Sequence, residues 1–107
     1  MNILLINNNP VVSKLVTLSA QKTSNELETS EDGLSIHTTE CDLLMIDDAV
    51  YSESLMESIN DSVKYQKSLF IHSKDTQTPD GFNGSIKKPF LPTELVELFA
   101  SLAKTID

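Results

Sequence analysis

Four apolar runs of this chain each end in polar or charged side chains that could do chemistry. In a parallel α/β sheet, the carboxyl ends of the strands open onto one crevice, where such side chains meet. The candidate crevice residues are Asn7 and Asn8 after residues 3–6, Asp47 and Asp48 after residues 43–46, Ser73 after residues 69–72, and Lys88 and Pro89 after residues 85–87.

These residue types leave a structural and a ligand-binding interpretation open. A carboxylate such as Asp47 beside Lys88 could form a partly buried ion pair that only positions the fold, and Ser73 could be a satisfied hydroxyl at a strand end. Asn7 and its neighbours could end the strand and cap the next helix. The sequence contains no glycine-rich phosphate loop, no nucleophile elbow and no Cys/His spacing typical of a metal site, so His37 and His72 are interpreted as structural or surface residues.

The elements that would position the crevice follow from periodicity and helix-start signals. Continuously apolar runs predict strands buried on both faces. Asn9-Pro10 predicts a helix start, and the helix through Lys22 should bury a stripe of Val11, Val12, Leu15 and Leu18. Strands that alternate with helices predict a parallel sheet with right-handed crossovers.

The later helices are expected to be uneven in length. Residues 33–40 leave room for about two helical turns, and Ser52 or Ser54 can cap a helix that runs to residue 63. Residues 74–84 contain one proline and two glycines, so a long regular helix is not expected there. Pro92 should open a full-length final helix.

The order of acid, hydroxyl and Lys-Pro-Phe resembles a CheY-like receiver domain of bacterial two-component signalling, over the whole chain as a single domain, 1–107. The resemblance implies an α/β, flavodoxin-like, doubly wound five-stranded parallel sheet of order 2-1-3-4-5, with short second and third helices and a reduced or absent fourth. It implies that Asp47 is the phosphoacceptor and that Ser73 and Lys88 contact the phosphoryl group. It also implies a cis Lys88-Pro89 bond.

Three positions depart from that family. Asn7 and Asn8 stand where the family has the acids that hold Mg²⁺, and Ser85 stands where it has an aromatic switch residue. Mg²⁺ prefers anionic oxygen ligands, so we expect no cofactor and weak Mg²⁺ binding at most. Asp48 should point away from Asp47, since neighbours on a strand alternate in direction.

The resulting functional hypothesis is a degenerate receiver, or pseudo-receiver, that is not an enzyme and acts through protein–protein interaction in bacterial signalling or regulation. One alternative is an atypical working receiver phosphorylated on Asp47. Another is a small-molecule sensor that uses the same crevice. The expected partners are another protein or a second copy of the chain, and a fused effector domain or a histidine kinase would also fit.

Composition narrows the class of protein. A formal charge of −8 over 107 residues argues against a nucleic-acid surface, which needs clustered Lys and Arg. Cys41 is alone, so it is expected to be a buried small hydrophobe in a reducing compartment. No apolar run approaches a membrane span and no signal-peptide pattern is apparent, so we expect a cytoplasmic protein or a domain of a longer one.

An interface is predicted on the face of the sheet whose helices are short or broken. A thin layer there should leave apolar surface near Phe82 and Ile86. Exposed apolar patches serve as protein contacts, so residues 74–87 are predicted to carry a dimer or partner contact, unless Phe82 folds over the sheet as a local plug.

Overall fold

Five strands and three helices follow one another within the described residues of the computed structural model, which are 1–33, 36–73, 77–88 and 90–105. None of these helices has the length and apolar character that a membrane span requires. The elements are β1 Asn2–Ile6, α1 Pro10–Lys22, β2 Glu26–Ser30, β3 Glu40–Asp47, α2 Glu53–Ser62, β4 Lys64–His72, β5 Gly84–Lys87 and α3 Pro92–Ala103.

All five strands form one parallel sheet of order β2-β1-β3-β4-β5, which confirms the predicted flavodoxin-like topology. The central strands are aligned so that Ile6 lies opposite Ile46 and Ile46 lies opposite Phe70. These residues are buried because helices or loops cover both faces of the sheet. Since every strand runs the same way, the carboxyl ends of β1, β3, β4 and β5 share one edge.

The two faces of the sheet are covered differently. α1 and α3 pack together on one face, and α2 packs on the other. The buried residues of the first face include Val16, Leu43, Leu69, Leu95 and Phe99. Those of the second include Leu4, Leu44, Ile46, Leu55 and Ile59.

The predicted apolar stripe of α1 is only partly correct. Val12 is buried and Leu15 is half-buried, but Val11 is 65% exposed and Leu18 is also exposed. The buried side chains are instead Val12, Val16, Ser19 and Ala20. Ser19 and Ala20 are small, which lets α1 approach α3 as well as the sheet. The Ser19 hydroxyl lies 3.3 Å from the Pro92 carbonyl oxygen of α3.

The short second helix predicted between β2 and β3 is wrong for the described residues, since 31–33 and 36–39 contain no helix. Gly33 turns the chain at φ +77°, and its N–H donates to the Ser30 hydroxyl at 3.0 Å. The N–H groups of His37 and Thr38 donate to the Glu28 carboxylate at 2.8 and 3.4 Å. Those backbone donors are therefore satisfied by a strand side chain rather than by helical carbonyls.

The predicted reduction of the fourth helix is confirmed for the described residues 77–83, which form an irregular loop. The loop is tied to β4 because Asn83 N–H donates to the Ser68 carbonyl at 3.0 Å and Asn83 Oδ1 accepts from Ser68 N–H at 2.8 Å. Phe82 is half-buried, with its ring centroid 5.2 Å from that of Phe70 and 6.1 Å from that of Tyr51. Phe82 therefore acts as a plug in place of a helix.

The predicted grouping of Phe82 with Ile86 is wrong. Ile86 packs into the α1/α3 face, whereas Phe82 packs on the α2 face. Side chains alternate along β5, so Ile86 points away from the face over which Phe82 folds, and the flanking Ser85 and Lys87 are exposed. The two residues cannot form one continuous apolar patch.

Candidate functional site

An ion-pair cluster occupies the carboxyl ends of β3 and β5. The Lys88 ammonium lies 2.9 Å from Asp47 Oδ1 and 2.9 Å from Asp48 Oδ1. The Asp47 side chain is 0% exposed, and that of Lys88 is 21% exposed. This confirms that Lys88 lies within salt-bridge reach of Asp47, and it adds a second acid to the cluster.

Asp48 does not point away from Asp47 as the alternation of a strand predicts. β3 ends at Asp47, and Asp48 already lies in a turn. Val50 N–H closes this turn by donating to the Asp47 carbonyl at 3.1 Å. The turn breaks the alternation and directs both carboxylates toward Lys88. Two adjacent acids at a strand end were the sequence signal for this site.

Ser73 contacts Asp48. Its N–H and its hydroxyl each donate to Asp48 Oδ2 at 2.8 Å. Asp48 Oδ1 is bound by Lys88, so both oxygens of this carboxylate have donors. One acid thus links the ends of β3, β4 and β5.

Asp47 is bound through one oxygen. Oδ1 accepts from Lys88 and from Ala49 N–H, each at 2.9 Å. Oδ2 is buried and has no hydrogen-bond partner among the described residues. A buried carboxylate oxygen without a donor is costly, so this atom is where the crevice is least satisfied.

Hydrogen bonding sets the ionisation of the cluster. Burial disfavours the charged form of Asp48, but the hydrogen bonds from Ser73 and Lys88 outweigh it and hold the pKa of this carboxyl well below its ordinary range. Burial also opposes the charge on Lys88, yet the hydrogen bonds to Asp47 and Asp48 raise the pKa of its ammonium above the ordinary value. Asp48 and Lys88 are therefore both charged at neutral pH.

Asn7 has a capping role at the end of β1. It is 2% exposed, and its Nδ2 donates to the Asn9 carbonyl at 2.9 Å and to the Ser13 hydroxyl at 2.7 Å. Its Oδ1 accepts from Asn9 N–H at 2.9 Å. Asn9 Oδ1 in turn accepts from Val11 N–H at 2.9 Å and caps α1. Asn8 is exposed.

Of the two remaining crevice positions, Ser85 is described and Pro89 is not. Ser85 is exposed on β5, next to the strand end that leads to Lys88. Pro89 and the peptide bond to it fall outside the described residues.

Across the described ranges, no group of three or more His, Cys, Asp or Glu side chains is placed to hold a metal ion. Cys41 is buried, and burial together with nearby Asp42 raises the pKa of its thiol to about 11.

An apolar groove that the sequence did not suggest adjoins Lys88. Asn9, Val11, Leu15 and Phe90 line it with Lys88, and its volume is about 320 Å³. Val11 is exposed there, and Leu91 at the start of α3 is 63% exposed. In the sequence, Val11 stood out only as part of the apolar stripe of α1, and that stripe predicted a buried residue rather than an exposed one.

Comparison with known proteins supports the fold and gives no sequence family. No protein-family model matches the chain, and no curated protein does either. A response regulator receiver domain protein from Bacillus halodurans is similar in structure with a TM-score of 0.74 and 20% identity, over 95% of this chain and 96% of that chain. The chemotaxis response regulator CheY4 of Vibrio cholerae gives a TM-score of 0.72 and 18% identity, over 94% and 97% of the two chains.

Longer proteins contain the same domain shape. NtrX from Brucella abortus, solved in complex with ADP, matches with a TM-score of 0.75 and 16% identity over 97% of this chain but only 26% of that chain. These identities are low, so the similarity concerns the fold. Five parallel strands in the order 2-1-3-4-5, a strand-end crevice and these structural neighbours together show that the chain has the fold of response-regulator receiver domains.

Proposed function

We propose that this chain is a receiver-like signalling module that acts by protein contact and does not accept a phosphoryl group on Asp47. The observation that carries the proposal is the position of Lys88, whose ammonium lies 2.9 Å from both Asp47 and Asp48. A cation from the chain itself thus pairs with both acids of the crevice. In this role the domain is a binding module rather than an enzyme.

The residues of the crevice do not suit Mg²⁺, which receivers use to offset the charges that phosphoryl transfer brings together. Mg²⁺ prefers anionic oxygens in near-octahedral geometry. The Asn7 and Asn8 side chains offer only neutral amide oxygens, and Asn7 Oδ1 already accepts a hydrogen bond from the Asn9 N–H. We therefore expect Mg²⁺ to bind weakly at most.

The switch position gives independent support. Ser85 is a small, exposed side chain on an edge strand, so no aromatic ring can move between buried and exposed positions there. A signal that depends on such a movement is not available to this chain.

The test is mass spectrometry of the purified chain after incubation with acetyl phosphate and Mg²⁺. We expect no added phosphoryl mass on the wild type. A stoichiometric mass increase that disappears in Asp47→Asn would overturn the proposal. The variant Asn7→Asp with Asn8→Asp, which restores two acids, is the control that shows whether the assay can detect phosphorylation in this fold.

Phosphorylation of Asp47 is the second candidate function, and one observation favours it. Asp47 Oδ2 is buried without a partner among the described residues, and an oxygen in that state could gain from a new bond. Against it, Asp47 is 0% exposed and its other oxygen is bound by Lys88, so a phosphoryl donor would first have to displace this contact.

The proposed protein contact can be located by charge insertion. Light scattering should compare the wild type with Phe82→Asp and with Val11→Asp, which place an acid at a half-buried and at an exposed apolar residue on different faces. If the chain self-associates, loss of association in only one variant assigns the face. Circular dichroism of each variant checks that the fold is kept, since Phe82 also packs on Phe70.

A further inference from the structure

A cavity lies beside β2, far from the strand-end crevice, on the sheet face where the described residues between β2 and β3 form no helix. Its volume is about 220 Å³. Pockets for drug-sized ligands measure about 300–1,000 Å³, so this one suits a single side chain better than a whole small molecule. The polar side chains that line it are those of Asn2, Glu26, Glu28 and Thr38, together with the buried Cys41.

The cavity is negatively charged and contains no cation of the chain. None of its lining residues is basic, and neither Glu26 nor Glu28 forms a salt bridge within the described part of the chain. The pKa of the Cys41 thiol is raised to about 11 by burial and also by the carboxylates of Asp42 and Glu28. A positively charged side chain is therefore the group that this cavity favours.

Glu28 is held in position by the segment that stands in place of the helix. Its Oε2 accepts the N–H groups of His37 and Thr38 at 2.8 and 3.4 Å. Its Oε1 has no hydrogen-bond partner among the residues that the structure describes. A carboxylate fixed through one oxygen can bind a cation through the other with little further loss of side-chain freedom.

The cavity adjoins an open edge of the sheet, because β2 pairs with β1 and with no second strand in the described ranges. Glu26 N–H donates to the Met1 carbonyl at 3.1 Å, so the backbone of Glu26 faces β1. Successive residues of a strand direct their backbone groups to opposite sides. The N–H and C=O groups of Leu27 and Thr29 therefore point toward the open edge, where an added strand could pair with them.

We propose that β2 and the acidic cavity beside it bind an extended segment of a partner protein that carries a lysine or an arginine. The segment pairs with the outward backbone groups of Leu27 and Thr29 as a sixth strand, and its cation enters the cavity beside Glu26 and Glu28. The inference rests on the proposed function, because it gives the protein contact a place and a partner chemistry.

Charge decides which strand fits this edge. A second copy of the chain carries a formal charge of −8, and pairing β2 with itself would bring Glu26 and Glu28 of the two copies together. Like charges on facing strands are destabilising, and charged edge strands prevent unwanted pairing for this reason. A basic segment meets the opposite charge instead. The two acids thus disfavour self-pairing and select a cationic partner.

The test titrates the full chain with two capped heptapeptides, in which six threonines surround a central lysine or a central glutamate. Backbone amide NMR shifts of Leu27 and Thr29 report binding, and slower hydrogen exchange of the same amides reports strand pairing. n-Butylammonium chloride, which carries the cation of a lysine side chain without a backbone, is titrated in parallel at constant ionic strength.

A pair of double variants isolates the charge of the cavity. Glu26→Gln with Glu28→Gln, the cavity variant, removes both charges but keeps side-chain oxygens that can accept the same backbone N–H groups. Glu57→Gln with Glu97→Gln removes the same charge from exposed positions on α2 and α3 and is the matched control. The peptide pair needs no variant, so the inference stays testable if the cavity variant does not fold.

The wild type should bind the lysine peptide with saturable shifts and slower exchange at Leu27 and Thr29. Its affinity should exceed that for the glutamate peptide, and that of the cavity variant for the lysine peptide, by about tenfold or more. The control variant should bind as the wild type does. Equal affinity for the two peptides, or an unchanged affinity in the cavity variant, would overturn the inference. Shifts without slower exchange, or n-butylammonium binding as tight as that of the lysine peptide, would also contradict it, because the cation would then bind without the strand.

Failure here is distinguishable from failure of the proposed function. Phosphorylation of wild-type Asp47 by acetyl phosphate would remove the proposed function whatever the peptides do. An unphosphorylated wild type that does not distinguish the two peptides would leave the proposed function standing and remove only the β2 contact.

Discussion

The two halves of the strand-end crevice are built on opposite principles. At the end of β1, the neutral Asn7 amide is buried and satisfied by three hydrogen bonds to Asn9 and Ser13. At the ends of β3, β4 and β5, two carboxylates and one ammonium are held at 2.9 Å and supported by Ser73. The first half is a helix cap, and the second is an ion-pair cluster.

The comparison shows how the protein's own side chains and backbone satisfy most polar groups of the crevice. A buried polar group must find a partner within the protein when none comes from solvent. Asn7 finds one in the cap of α1, and Asp48 finds several in Ser73 and Lys88. Only Asp47 Oδ2 has none among the described residues, so this atom is the remaining point at which an outside group could bind.

Removing the cation should break the charged half and leave the neutral half intact. Lys88→Met leaves the fully buried Asp47 without its counter-charge, and such a loss costs about 3 kcal/mol of unfolding free energy. Urea denaturation measures it. The control is Lys87→Met, because Lys87 is adjacent and exposed and should change stability by less than about 0.5 kcal/mol. Equal losses in the two variants would contradict the buried ion pair.

Truncating the neutral half should have a smaller effect. Asn7→Ala removes the hydrogen bonds to Asn9 and Ser13 at the start of α1, which should cost about 1–2 kcal/mol. Asn8→Ala should be close to neutral, since Asn8 is exposed. Urea midpoints of both variants provide the comparison, and an Asn8 effect as large as that of Asn7 would argue against the capping role.

Acid should weaken the charged half through Asp48. Its folded-state pKa is depressed below the unfolded value of roughly 3.9, so its carboxylate stabilises the fold above that value. The contribution is lost as pH falls through the lower folded-state pKa. Urea midpoints measured from about pH 5 to about pH 2 should fall less steeply for Asp48→Asn than for the wild type. Parallel curves would show that Asp48 gains nothing from Ser73 and Lys88.

Adding acids to the neutral half should make the two halves alike. Asn7→Asp with Asn8→Asp should raise Mg²⁺ affinity modestly, because two anionic oxygens replace neutral ones. It should also lower stability without the metal, since Asn7 Nδ2 donates two hydrogen bonds. Calorimetric titration should compare it with Gln21→Glu plus Gln77→Glu, which adds equal charge at exposed positions. Equal Mg²⁺ affinity in the two double variants would mean that the added charge, and not its position in the crevice, determines Mg²⁺ binding.

The topology could be predicted from the sequence because local signals agreed with the fold. Continuous apolar runs gave the central strands, Asn9-Pro10 gave the start of α1, and Ser52 or Ser54 was the predicted cap of α2, of which the structure shows Ser52. The second helix could not be excluded in the same way. The N–H groups of His37 and Thr38 donate to the side chain of Glu28 on β2, and helical periodicity contains no information about such a contact.

The face of the sheet on which a side chain packs was harder to predict than whether a segment is a helix or a strand. Ile86 and Phe82 are close in sequence but pack on opposite faces, since one lies on β5 and the other in a loop that folds back over Phe70. Val11 was predicted to be buried because it belongs to the apolar stripe of α1, but it is exposed. The stripe alone does not show how much of the helix surface the neighbouring elements cover. Only the approach of α3 to α1 defined how much is covered.

The sequence by itself determined the neutral residues at the end of β1 and the nearness of Asp47 to Lys88, because strand ends meet at one edge of a parallel sheet. The sheet order was implied by the receiver resemblance and is observed. Tertiary structure alone decided the role of Asp48. Strand alternation would have turned it away, but β3 stops one residue earlier, and the turn that follows brings its carboxylate to donors from two other strand ends. Where a strand ends depends on the neighbours it can pair with, and that information lies outside the local sequence.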